Sequence, residues 1–211
     1  MPVQGRTRPL RADARRNREQ VLDAALRAFS AGGPGVPLEA VAKDAGVGIG
    51  TLYRHFPTRE ALVEAVYRAE LGRLCDAAPA LLGRLPPDGA VRAWMDAFLD
   101  YTCAKRGMAD ALRAVIASGG DPFAHSRERM IAAVTSLLAA GAAAGTVRAD
   151  VGPVDVLTGL AGVTLAAGEP AQRAQAGRLL DLFMDGLRPR PATPPRAAEP
   201  SGAAQPPRAA G

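Results

Sequence analysis

Apolar residues recur along most of this chain at intervals of three and four, the period of an amphipathic helix. Val21, Leu22, Ala25, Leu26 and Phe29 mark the inner face of a first long helix, opened by Asp13 and ended near Ala31-Gly32-Gly33-Pro34. Leu38, Val41, Ala42 and Ala45 share one face of a short second helix. Gly46 stands where the chain must leave that helix sharply, in a conformation that glycine tolerates. A very short third helix is expected from Ile49 to His55, anchored by Leu52 and Phe56. Thr58 is placed to N-cap a long fourth helix running through Val63, Val66, Tyr67, Leu71 and Leu74.

The same period continues to residue 187. Pro86-Pro87-Asp88 opens a helix carrying Val91, Trp94, Phe98 and Tyr101, broken at Gly107. A short helix over 109–117 ends at Ser118-Gly119-Gly120-Asp121-Pro122. Ser126 to Ala144 forms a long one with Met130, Val134, Leu137, Leu138 and Gly141 on one face. Pro153 to Ala167 is apolar nearly all round, which predicts burial on more than one side. In the last helix, Ala171 to Leu187, the stripe is Ala176, Leu180, Phe183 and Leu187. No alternating strand pattern interrupts these elements, so the fold class is all-α.

Composition refines this picture. With 211 residues the chain can bury one sizeable core or two small ones. Residues 1–75 carry 12 basic side chains against 8 acidic, whereas residues 76–187 carry 10 against 12. The positive end is therefore the end with the two short helices, as binding to phosphates requires. Residues 1–11, with Arg6 and Arg8 among prolines and glycine, are expected to be a disordered basic arm. Arg15, Arg16 and Arg18 are placed to reach phosphates. Residues 188–211 are rich in Pro, Ala and Arg, without an apolar face, and are expected to be disordered. Cys75 and Cys103 lack metal-ligand spacing and are expected as buried or half-buried free thiols. No apolar run is long enough to cross a membrane and no signal peptide opens the chain, so the expected location is the cytoplasm.

The segment from Leu38 to Leu62 carries the functional signal. Two helices joined by a tight turn, the second short and bearing polar and aromatic residues, are built to read DNA: the first braces and the second enters the major groove. Gly48 and Gly50 remove bulk where backbone must approach phosphate closely. The run Ala45-Gly46-Val47, Gly50-Thr51-Leu52-Tyr53, His55-Phe56 and Arg59-Glu60-Ala61-Leu62 resembles the TetR/AcrR family of transcription regulators over residues 15–75. Trp94, Lys105-Arg106-Gly107-Met108 and Ser118-Gly119-Gly120-Asp121-Pro122 resemble the C-terminal domain of its SbtR-like subgroup.

The resemblance implies a helix-turn-helix domain over 12–75, with the motif itself at about 37–56. It implies a C-terminal ligand-binding and dimerisation domain over 76–187. Tyr53 and His55 would touch phosphates, Gly50 and Thr51 would face the groove, and Arg59 would take the phosphate-binding role of the family's usual Lys. Gly48, Ile49, Arg54 and Thr58 complete the candidate DNA surface. Two positions depart from the family's pattern: Val36-Pro37 stand where Ser or Thr is usual, with Pro37 expected as the first helical residue, and Gly48 stands where Ser is frequent.

The expected partners are double-stranded DNA with a palindromic operator, a second copy of the chain, and an unidentified small-molecule effector. Trp94, Phe98, Tyr101 and Met130 are the candidate pocket residues. Leu157, Leu160, Leu180, Phe183 and Leu187 are the candidate dimer residues, because the last two helices offer more apolar face than a small domain covers. His125 is expected at the surface. A small helical enzyme built on His55 or His125 is the competing class; no Ser/His/Asp, Cys/His or metal-spaced set supports it, and no catalytic residue, metal or cofactor is assigned. A DNA-coating architectural protein would need a basic middle, which this chain lacks.

Overall fold

The computed structural model describes residues 7–167 and 170–189, and all regular elements within them are helical. Helix α1 (Thr7–Gly32) runs into a single 3-10 turn (Gly33–Gly35), then α2 (Leu38–Asp44), α3 (Ile49–His55) and α4 (Arg59–Leu82). The C-terminal part holds α5 (Pro87–Gly107), α6 (Ala109–Ala117), α7 (Ser126–Ala143), α8 (Pro153–Ala167) and α9 (Arg173–Leu187). Helix α1 begins at Thr7, not Asp13. Residues 7–11 are thus helical, contrary to the expected disordered arm; residues 1–6 and 190–211, with the rest of the arm and nearly all of the expected tail, lie outside the described residues.

One continuous core joins the two halves. In the N-terminal half Val21, Ala25 and Phe29 of α1 meet Leu38 and Val41 of α2, Leu52 of α3, and Leu62 and Val66 of α4, all buried. Burial of each large side chain stabilises the fold by about 1.5–3 kcal/mol. In the C-terminal half Trp94, Met95 and Leu99 of α5 pack with Val134 and Leu137 of α7, Leu160 of α8 and Leu180 of α9.

Helix α4 belongs to both halves. It packs on α1 and also on α5, α6 and α7. At about 1.5 Å per residue its 24 residues span roughly 36 Å. Tyr67, midway along it, donates to the Ser126 hydroxyl of α7 at 3.1 Å. Its only proton is thereby used, so the Tyr101 hydroxyl of α5 is the donor in the 2.7 Å bond between the two phenols. This buried polar trio ties the helix shared with the N-terminal half to two helices of the C-terminal half. Arg73 of α4 adds an exposed bridge to Asp23 of α1.

Candidate nucleic-acid interface and helical cleft

The turn between α2 and α3 forms for a local reason. Gly46 adopts φ +68°, where a side chain would be strained. Its N–H donates to the Lys43 carbonyl at 3.1 Å and the Val47 N–H to the Ala42 carbonyl at 3.0 Å. These are the two bonds of a Schellman motif, which satisfies the last carbonyls of α2 and turns the chain. Val47 then packs half-buried on the core. Pro37 is the N-cap of α2 rather than its first helical residue, and supplies no side-chain cap.

Helix α3 has a buried side and an open side. Leu52 is fully buried and Phe56 nearly so. Opposite them Gly48, Gly50, Tyr53 and Arg54 are exposed, with Tyr53 45% accessible despite its aromatic ring. A Cβ added at Gly50 would meet nothing within 4 Å, so the backbone there is open to a partner's close approach. Thr51 and His55 are half-buried, and Ile49 packs partly against the core. Arg18 of α1 lies over the Phe56 ring, 5.3 Å from its centroid, beside α3. Arg15 and Arg16 pair instead within their own helix, with Glu19 and Asp13.

Two expected phosphate contacts carry structural duties. Thr58 accepts from the Ala61 N–H at 3.0 Å and caps α4. Arg59 is turned inward: its guanidinium donates to the Val36 carbonyl at 2.5 Å and lies 5.8 Å from the Phe29 ring centroid. Arg59, expected as a phosphate ligand, thus also has a structural contact. The α4 start leans on the connection between α1 and α2 through that contact.

The C-terminal candidates divide. Trp94 is 1% accessible, and its indole N–H donates to the Leu74 carbonyl at 2.9 Å, so it is a core residue and lines no cleft. Tyr101 is buried in the trio with Tyr67; burial, followed by the Tyr67 hydrogen bond, pushes its pKa above the ordinary phenol range. Phe98 and Met130 do meet, in a cleft of about 290 Å³ that Leu157 and Ala161 of α8 help to wall.

Of the candidate dimer residues, Leu160, Leu180 and Leu187 are buried within the protomer and offer nothing to a second copy. Their stripe faces the protomer's own core, because α8 and α9 pack on each other and on α5. Leu157 and Phe183 are half-buried. The large exposed apolar residues of α8 and α9 are Leu165 (85% accessible), Leu182 (68%) and Val154. Leu182 falls outside the expected stripe; a large apolar residue on the polar side of an amphipathic helix was the available signal. Cys75 is half-buried, with its thiol pKa raised by burial, whereas Cys103 is exposed, contrary to expectation. His125 is exposed, as expected, and holds φ +58° just before α7. No group of His, Cys, Asp and Glu among the described residues could hold a metal, and no helix among them is long and apolar enough to cross a membrane.

Residues 21–66 match the family described as bacterial regulatory proteins, tetR family. Residues 86–189 match the C-terminal domain of SbtR-like transcriptional regulators. A TetR transcriptional regulator from Streptomyces coelicolor is 57% identical, with a TM-score of 0.79 over 82% of this chain and 98% of its own. A TetR regulatory protein from Mycobacterium vanbaalenii is 38% identical, with a TM-score of 0.70 over 85% and 99%. A transcriptional regulator from Cytophaga hutchinsonii, 16% identical with a TM-score of 0.61 over 81% and 98%, shares the fold. No curated protein matches the chain.

Proposed function

Because this chain belongs to the tetR family and is a DNA-binding transcriptional regulator, we propose that it acts as a homodimeric repressor, released from an inverted-repeat operator by a small molecule. The observation that carries the reading is the two-sided α3: Leu52 seals the inner side while Gly50, Tyr53 and Arg54 stand open on the other. In this reading Tyr53 and His55 contact phosphates, and Gly50 and Thr51 face base edges, flanked by Gly48, Ile49, Arg54 and Thr58. One short helix makes few base contacts, so two copies on an inverted repeat multiply a modest preference.

The exposed face of α9, with the adjoining Gly162 side of α8, is the dimer surface in this reading. Leu182, Leu179 and Phe183 supply apolar area, and Gly162, beside which an added Cβ would meet nothing, allows close approach. The effector acts by population shift: it favours the dimer whose recognition helices no longer match adjacent major grooves. To weaken DNA binding a hundredfold it must prefer that form by about 2.7 kcal/mol.

The deciding experiment is a footprint on DNA upstream of the protein's own gene and its divergent neighbour, at physiological salt with excess random competitor. Protection of an inverted repeat is expected. Protection spreading evenly over all sequences would instead support a DNA-coating role.

A further inference from the structure

Two clefts follow one another along the C-terminal half. The first holds Phe98 of α5, Arg127 of α7 and Ala161 of α8. The second, of about 430 Å³, holds Thr102 of α5, Phe123 of the preceding loop and Leu165 of α8. On each of the three walls the lining residues of the two clefts are four positions apart, which is one helical turn on α5 and α8. The clefts therefore lie end to end as a trough in two parts, whose walls span about 16 Å along α8 from Val154 to Leu165. Each part is of the size that small-molecule sites have.

The lining is chemically lopsided. Among the described residues it includes Lys105, Arg106, Arg113 and Arg127 and no acidic side chain. Arg113 is neutralised by Asp110, and Arg106 donates to the Thr164 carbonyl at 2.8 Å. Lys105 has no carboxylate partner among the described residues; its ammonium lies 4.4 Å from the Phe123 ring centroid. Burial lowers the Lys105 pKa, so the charge is partly withdrawn from water, and no carboxylate among the described residues compensates it. The opposite end of the trough is apolar, with Phe98, Met130 and Leu157.

We propose that this trough binds an elongated amphipathic carboxylate, its anionic head on the Lys105 ammonium and its hydrocarbon chain laid over Phe98, Met130 and Leu157. A cation held over an aromatic ring recognises a monoanion, and the apolar groove beyond it rewards a chain. A neutral molecule of the same length would leave Lys105 uncompensated. Helix α6 lines the head-group end through Leu112 and Ile116, and packs against both α4 and the turn that follows α1. Occupancy is thereby felt by the DNA-reading half. The proposal rests on the reading that a small molecule controls this regulator, and gives that molecule a site and a chemical class.

The test is calorimetric titration of the full-length protein with decanoate and with 1-decanol, in parallel with displacement of the footprinted DNA. The single tryptophan, Trp94, lies 5.8 Å from the Phe98 ring and gives a second readout by fluorescence. Decanoate should bind at least about tenfold more tightly than the alcohol. Lys105→Gln should abolish that difference and Lys105→Arg should keep most of it. Equal binding of acid and alcohol, no binding of decanoate, or an unchanged preference in Lys105→Gln overturns the proposal. Charge-dependent binding that leaves DNA bound would retain the site and reject release by this ligand. Release by an unrelated compound, with no decanoate binding, would reject the site and retain ligand control.

Discussion

The Arg59 guanidinium illustrates how a motif residue acquires a second duty. It donates to the Val36 carbonyl and lies against Phe29, holding the start of α4 to the segment before α2. Arg59→Ala should therefore destabilise the protein by about 1–3 kcal/mol, the range for a hydrogen bond from a charged group. Urea unfolding checks this; unchanged stability with weaker DNA binding would return Arg59 to the phosphate surface. Tyr53 is the contrasting case. Its side chain is exposed, so Tyr53→Ala should leave folding intact and weaken binding to operator and random DNA alike. Thr51→Ala should change the preference among sequences, by about 1–3 kcal/mol at the contacted base pair. Equal losses on operator and random DNA would remove Thr51 from the groove.

Among the elements, α4 is the one whose position matters to both halves. Its start is fixed by the Thr58 cap and its middle by the Tyr67–Tyr101–Ser126 trio. Thr58→Ala should cost about 1 kcal/mol through loss of the cap. Tyr67→Phe removes the bridging oxygen and strands two buried hydroxyls, at a cost of about 1–3 kcal/mol. That variant should also change how strongly a ligand alters DNA affinity, because α4 would be less firmly tied to α5 and α7. Paired DNA titrations with and without ligand measure the change. An unaltered ligand effect in a destabilised Tyr67→Phe protein would show that the trio only stabilises. The period-3.6 pattern had already located α3 from Ile49 to His55. It did not locate the start of α1, since Thr7 to Ala12 lack a strong apolar face and the pattern only becomes clear from Val21.

For the whole molecule, the surfaces left uncovered by a single protomer decide assembly. Leu182 is two-thirds exposed on α9 and does little for the protomer's own core. Leu182→Asp should leave the protomer folded, convert the proposed dimer to a monomer in sedimentation, and with it lose operator affinity. A Leu182→Asp protein that stays dimeric would place the interface elsewhere. The lopsided charge, basic in residues 1–75 and slightly acidic in 76–187, predicts DNA affinity that falls steeply with salt.

By itself the sequence determined the all-helical class, the order of the helices and the DNA-reading segment. These follow from local rules: the spacing of apolar residues, a glycine at φ +68° after α2, and a threonine cap before α4. The candidate surfaces were legible only in part. Trp94, Tyr101, Leu160, Leu180 and Leu187 are apolar or aromatic at helical spacing, which marks them for burial but does not say against what. Whether such a face meets the protomer's own core, a cleft or a second copy depends on how α5, α7, α8 and α9 cross. Only the tertiary structure decided that Lys105 meets Phe123, because that contact arises from packing between segments distant in the chain.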